Sequence, residues 1–211
     1  MSTNRPVCQI MFVAIFGASS VAAPQNLREA ARAQAIRNPG VSLEQPAPPS
    51  DYEPKAIEEL AKESVVVLQA RLWKASSYLS QREDRILTDY QIAQPKVIAG
   101  RLGVASPSLP GPVQPLILTE WGGEVLIEGV PVRGTDHSRE PIRDGGEYLL
   151  FLRESRPPKP GHYEIFYGAI FEVVQDEVKP LLKEADRVFK GPLEARLKEL
   201  VLRIQSSVQA R

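Results

Sequence analysis

The chain has 211 residues, with 26 basic and 26 acidic side chains and two histidines. A formal charge of zero, with the two signs interspersed, gives no electrostatic footprint for nucleic acid or an anionic membrane surface, so neither is expected as a partner. The single cysteine, Cys8, stands near the N-terminus, which leaves the rest of the chain without a thiol for catalysis or for ligating zinc or an iron–sulfur cluster.

The opening "MSTNRPVCQIMFVAIFGASSVAAPQ" has a basic residue, Arg5, then an apolar run too short to span a bilayer, then small residues around Ser20 to Ala22. That order predicts a signal peptide over 1–22, cut after Ala22, because a cut after Ala23 would place the rigid ring of Pro24 first. An uncleaved anchor is the competing reading. Cys8 precedes the apolar run, so it does not stand where a lipid-attachment cysteine would. The expected destination is periplasmic or extracellular. About 190 residues then remain, enough for one domain stabilised by its own core without disulfides. No later apolar run approaches the length of a transmembrane segment.

Residues 23–54 are rich in Pro, Ala and Gln, with prolines at 39, 46, 48, 49 and 54. So many prolines interrupt helix and ladder alike, and few large apolar side chains offset the entropy of ordering, so a flexible tether is expected. A short helix over Leu27 to Arg37 competes with an extended linker there. In "DYEPKAIEELAKES", Ile57, Leu60, Ala61 and Ser64 have helical spacing. "SVVVLQARLW" then alternates, with Val66, Leu68, Ala70 and Leu72 on one strand face and Gln69 and Arg71 on the other. "RILTDYQIA" repeats the pattern, Ile86, Thr88, Tyr90 and Ile92 against Asp89 and Gln91, and the polar stretch between the two reads as a hairpin tip.

A Pro/Gly loop follows Val97. "LILTEWGGEVLIEGVPV" predicts two short strands around Trp121-Gly122-Gly123, or one strand with a bulge. "DGGEYLLFLRE" is a turn feeding an apolar strand, with Tyr148, Leu150 and Leu152 facing the core and Leu149 and Phe151 covered on the other side by a helix. In "HYEIFYGAIFEVV", Ile165, Tyr167, Ala169, Phe171 and Val173 are expected on one face, with a return strand near Val178. Gly191 and Pro192 open a C-terminal helix over 191–211 whose stripe is Leu193, Leu197, Leu200, Val201, Ile204 and Val208. The sum is a mainly β (α+β) domain over 55–190: a small OB-like β-barrel of five to seven strands, closed by the C-terminal amphipathic helix.

Chemistry-bearing residues are few. Asp136, His137 and Ser138 are adjacent, and adjacent side chains cannot approach opposite nitrogens of one imidazole as a nucleophilic relay requires. A metal site would need His137, His162 and a carboxylate such as Asp136 or Asp144 to meet from separate hairpins. Gly145-Gly146 lacks the following G-x-x-G or G-K-S/T of a phosphate loop, so its task is a turn. No catalytic residue, metal ligand or cofactor is therefore expected. Trp73, Tyr78, Trp121 and Tyr163 lie at strand ends or loop edges, where they form a recognition surface or else cover the barrel ends.

The stretches "ESVVVLQARL", "ILTDYQIAQPKVIAG", "WGGEVLIEGVPV" and "PIRDGGEYLLFLRE" resemble, in content and order, a loosely defined group of exported bacterial proteins of unknown function, over about Lys62 to Val174. The order also looks like the OB-type barrel of netrin-like and metalloproteinase-inhibitor domains. Those families rely on cysteines, one of them at the mature N-terminus, and this chain lacks them there, so the resemblance implies a fold and no inhibitory activity. The expected function is an exported, non-catalytic binding or interaction module for a protein or small-molecule ligand. Two alternatives stand beside it: a hydrolase or metal-dependent enzyme built on His137, His162 and nearby carboxylates, and an envelope assembly subunit that packs its C-terminal helix on a partner.

Overall fold

A computed structural model describes residues 26–38, 40–47, 53–102, 115–156, 158–190 and 195–209. The expected signal peptide, most of the Pro/Gly loop and the Gly191-Pro192-Leu193 start of the last helix lie outside the described residues.

In chain order the elements begin with α1 (Leu27–Arg37), β1 (Leu43–Pro46), β2 (Lys55–Ala56), α2 (Ile57–Glu63), β3 (Val66–Leu79) and β4 (Ile86–Gly100). Next come β5 (Leu116–Trp121), β6 (Gly123–Ile127), β7 (Val130–Thr135), β8 (Glu147–Glu154), β9 (His162–Val174) and β10 (Glu177–Pro180). The chain continues through α3 (Ala185–Val188), β11 (Phe189–Lys190), β12 (Ala195–Arg196) and α4 (Leu197–Gln209).

Five strands make a ring. β3, β4 and β5 form an antiparallel meander, β5 runs parallel to β9, β9 pairs with β8, and β8 returns to β3. This is a small OB-like barrel, closed between β5 and β9 over only two residue pairs, Ile117 with His162 and Leu118 with Tyr163. β3 reaches two neighbours because register shifts at Val67/Leu68, Gln69/Arg71 and Lys74/Ser76 let it bend. Its first half pairs with β8, and its far end runs on with β4 as a projecting ribbon. The sequence's DGG turn closes on β3: Gly145, at φ 72°, donates its N–H to the Leu72 carbonyl, and the Gly146 carbonyl accepts from the Leu72 N–H. No helix among the described residues is long and apolar enough to cross a membrane.

Alternation along the strands separates two cores. Val66, Leu68, Ala70, Leu72, Ile92, Leu118, Tyr148, Leu150, Leu152, Tyr163, Ile165 and Ile170 fill the barrel. Val67, Leu149, Phe151, Ala169 and Phe171 point outward and are covered by Ile57 and Leu60 of α2 and by Leu200 and Ile204 of α4. The Phe151 and Phe171 rings lie 5.8 Å apart and tilted, the arrangement their quadrupoles favour. An ion pair of 2.6 Å between Arg203 and Glu58 joins the two helices.

Two expectations need correction. Ile165 does not share a face with Ala169 and Phe171: it lies inside the barrel with Tyr163, because positive φ at Tyr167 and Gly168 makes a bulge that resets the alternation within β9. Within residues 23–54, read as a flexible tether with a competing short helix over Leu27 to Arg37, that helix is present as α1 and is followed by β1. Asn26 caps α1 by accepting from the amides of Arg28 and Glu29. Leu27 and Ala31 of α1 are buried beside Ile86, Ile127, Val130 and Val132, and β1 pairs in parallel with β7. Arg28 and Arg32, four residues apart and so on one helix face, hold Glu83 at 2.9 Å and Glu128 at 2.6 Å.

Candidate functional site

In a strand, successive side chains alternate between faces, and directly paired residues share one. On β4 this sends Ile86, Thr88 and Ile92 inward and Leu87, Asp89 and Gln91 outward. The pairings then lay out three rows on the outer wall. One row is Trp73, Gln91, Ile117 and His162; the next is Ser76, Asp89 and Thr119; the last is Tyr78, Leu87 and Trp121. Three of the four aromatic residues expected at a recognition surface therefore stand on a single face.

The fourth does not. Tyr163 is 2% exposed and lies in the barrel core, because its parity on β9 is the inward one. Its neighbour His162 occupies the outward position beside Ile117.

The face has chemistry at its centre. Asp89 Oδ1 accepts from Thr119 Oγ1 at 2.7 Å and from the Tyr78 hydroxyl at 3.1 Å. Burial pushes the Tyr78 phenol's pKa up, and the negative charge of Asp89 with its hydrogen bond adds to the rise, so Tyr78 keeps its proton and serves as a donor. Gln91 is exposed beside them. Trp73 is 47% exposed and its ring lies over Gly145, where a side chain would meet the indole at 2.9 Å. Asp144 of the same turn accepts from the Lys74 amide at 2.6 Å, which fixes the strand beside Trp73.

Behind the wall, Glu120 anchors the far end of β5. Its carboxylate pairs with Arg139 at 2.7 Å, and Arg139 also reaches Asp136 at 3.1 Å and donates to the Trp121 carbonyl at 3.1 Å. Burial works to lower the Arg139 pKa, and Glu120 and Asp136 more than reverse it, so the guanidinium stays charged. A cleft of about 490 Å³ adjoins the face at Tyr78, between the tip of β3 and the β6 strand, and reaches Arg28 of α1.

His137 is exposed in a turn whose Asp136 accepts from the Ser138 amide and hydroxyl. Among the described residues no three of His, Cys, Asp and Glu come together as a group able to hold a metal ion, so the structure does not assemble the site considered for His137, His162, Asp136 and Asp144. Sequence reasoning named His162 only as a metal-site candidate and missed Asp89, Gln91 and Thr119 on this face. The signal that finds them is strand parity: each is the outward neighbour of an inward core residue. No protein-family model, curated protein or solved structure matches the chain.

Proposed function

We propose that the chain is an exported, non-catalytic binding module and that its ligand lies on the outer wall of β3, β4 and β5. One observation carries the reading: Trp73, Tyr78 and Trp121, scattered over nearly fifty residues of sequence, share one strand face with Asp89, Gln91, Thr119 and His162 between and beside them. Large amphipathic rings around a few convergent polar groups give contact area with little entropy to lose on binding. The enzyme alternative has less to draw on, since Asp136 and Asp144 are already engaged by Ser138, Arg139 and the Lys74 amide. The assembly alternative loses its free helix stripe, because Leu200 and Ile204 are buried against the chain's own barrel.

Pelleting with isolated cell-envelope material tests the reading. The wild-type chain is expected to sediment with the envelope and to have both indoles shielded from acrylamide. The double variant Trp73→Ala, Trp121→Ala is expected to stay in solution while remaining folded by circular dichroism. Sedimentation indifferent to both substitutions contradicts the proposal.

A further inference from the structure

Resting on that binding-face reading, we infer that the ligand is an uncharged, hydroxyl-rich polysaccharide chain laid across the strands. Spacing argues first. Neighbouring strands are about 4.8 Å apart and successive residues about 3.4 Å, so Tyr78 and Trp121, two strands apart in one row, stand about 10 Å from each other. Trp73 and Trp121 are separated by two strands and by four residues along β4, which makes about 17 Å. Tyr78 and Trp121 are close enough to flank one compact cation, but Trp73 is too far from Trp121 for all three rings to lie within the about 6 Å such a cation requires. They suit an extended ligand that meets them in succession.

The polar groups argue next. An ionised carboxylate only accepts hydrogen bonds. Asp89 Oδ1 already takes two, and Oδ2 has no partner among the described residues. The Gln91 amide, exposed on the same wall, both donates and accepts. The complement to these groups is a ligand rich in hydroxyls, while the C–H faces of sugar rings meet the negative faces of Trp73 and Trp121. The three rows contain no Lys or Arg, the neighbouring cation on this face being Arg71 beside Trp73, and Asp89 at their centre repels phosphate, so a nucleic-acid strand is disfavoured. A peptide adding as a strand would pair with the edge of β3 past Arg71, where pairing with β8 stops, and would run beside the wall and not across its three rows.

The sequence has two tryptophans, and both stand on this wall, so intrinsic fluorescence reports on it directly. The full chain is titrated with cellohexaose, chitohexaose and laminarihexaose, and in parallel with an oligothymidylate and a casein digest. The expected result is a saturable change with at least one saccharide, little altered by added salt and weakened about tenfold or more by Trp73→Ala or Trp121→Ala. Gln91→Ala, which leaves both reporters in place, is expected to weaken it several-fold. Silence from every saccharide overturns the ligand class, and the pelleting experiment then judges the binding face by itself. A response to the oligonucleotide or the digest alone, lost in the same variants, overturns the class and keeps the face. A saccharide bound equally well by wild type and both tryptophan variants removes the ligand from this wall.

Discussion

The outer surface of the barrel has two walls that differ in what covers them. On one, Val67, Leu149, Phe151, Ala169 and Phe171 are roofed by α2 and α4, and every outward side chain named there is apolar and buried. On the other, the outward positions of β3, β4 and β5 mix rings with an acid, an amide and a hydroxyl, and Trp73 and Tyr78 are exposed. The two walls share strand β3 and obey the same alternation, so backbone geometry does not separate them. The separation lies in composition: a wall built for stability excludes water and polar atoms, whereas the open wall keeps hydrogen-bonding groups solvated between large rings. On the proposed reading, stability and recognition belong to different sides of one small barrel.

If that division holds, substitutions on the two walls differ in size. The largest loss is expected for Phe151→Ala, which empties a ring site between α4 and the barrel and should cost about 3–5 kcal/mol in urea unfolding. Arg139→Ala leaves the largely covered Glu120 carboxyl without its ion-pair partner, and a loss of about 3 kcal/mol is expected, with Arg139→Lys recovering part of it. Smaller is the acid response at the ribbon tip. The Ser80 hydroxyl, helped by Arg85, holds the Asp84 carboxyl below its ordinary range, so the folded state resists its protonation. The resulting stability is present above about pH 4 and is lost as pH falls through the folded pKa, and Asp84→Asn should flatten that acid limb in urea midpoints measured against pH. Tyr78→Phe removes one exposed hydrogen bond to Asp89 and should change stability by about 1 kcal/mol or less.

Much of this division was legible in the sequence. In β8 the alternation of Tyr148, Leu150 and Leu152 with Leu149 and Phe151 gives both faces, and the helix over the second face is where its stripe predicts. The paired glycines before that strand form a turn, and Trp73 lies on it. Other features depend on contacts remote in sequence. The bulge at Tyr167-Gly168 puts a tyrosine at positive φ, against its local preference, and only the packing of β9 against β8 decides it. α1 buries only Leu27 and Ala31 and is held by Glu83 and Glu128, acids far along the chain, so its own periodicity says little. Tyr163 was selected for the recognition surface by ring type and His162 considered only as a metal ligand, although parity on β9 decides which of the two faces out.

One stability comparison tests the central claim most directly. Urea unfolding of Trp73→Ala, compared with Phe151→Ala in the same chain, asks whether a large ring on the open wall supports the fold. The division of walls predicts a loss of about 1–2 kcal/mol for Trp73→Ala, clearly below that of Phe151→Ala, since nearly half of the side chain is already in water. A loss of about 3 kcal/mol or more, equal to that of the core phenylalanine, would show that the aromatics are structural cover and would contradict the assignment of this wall to binding.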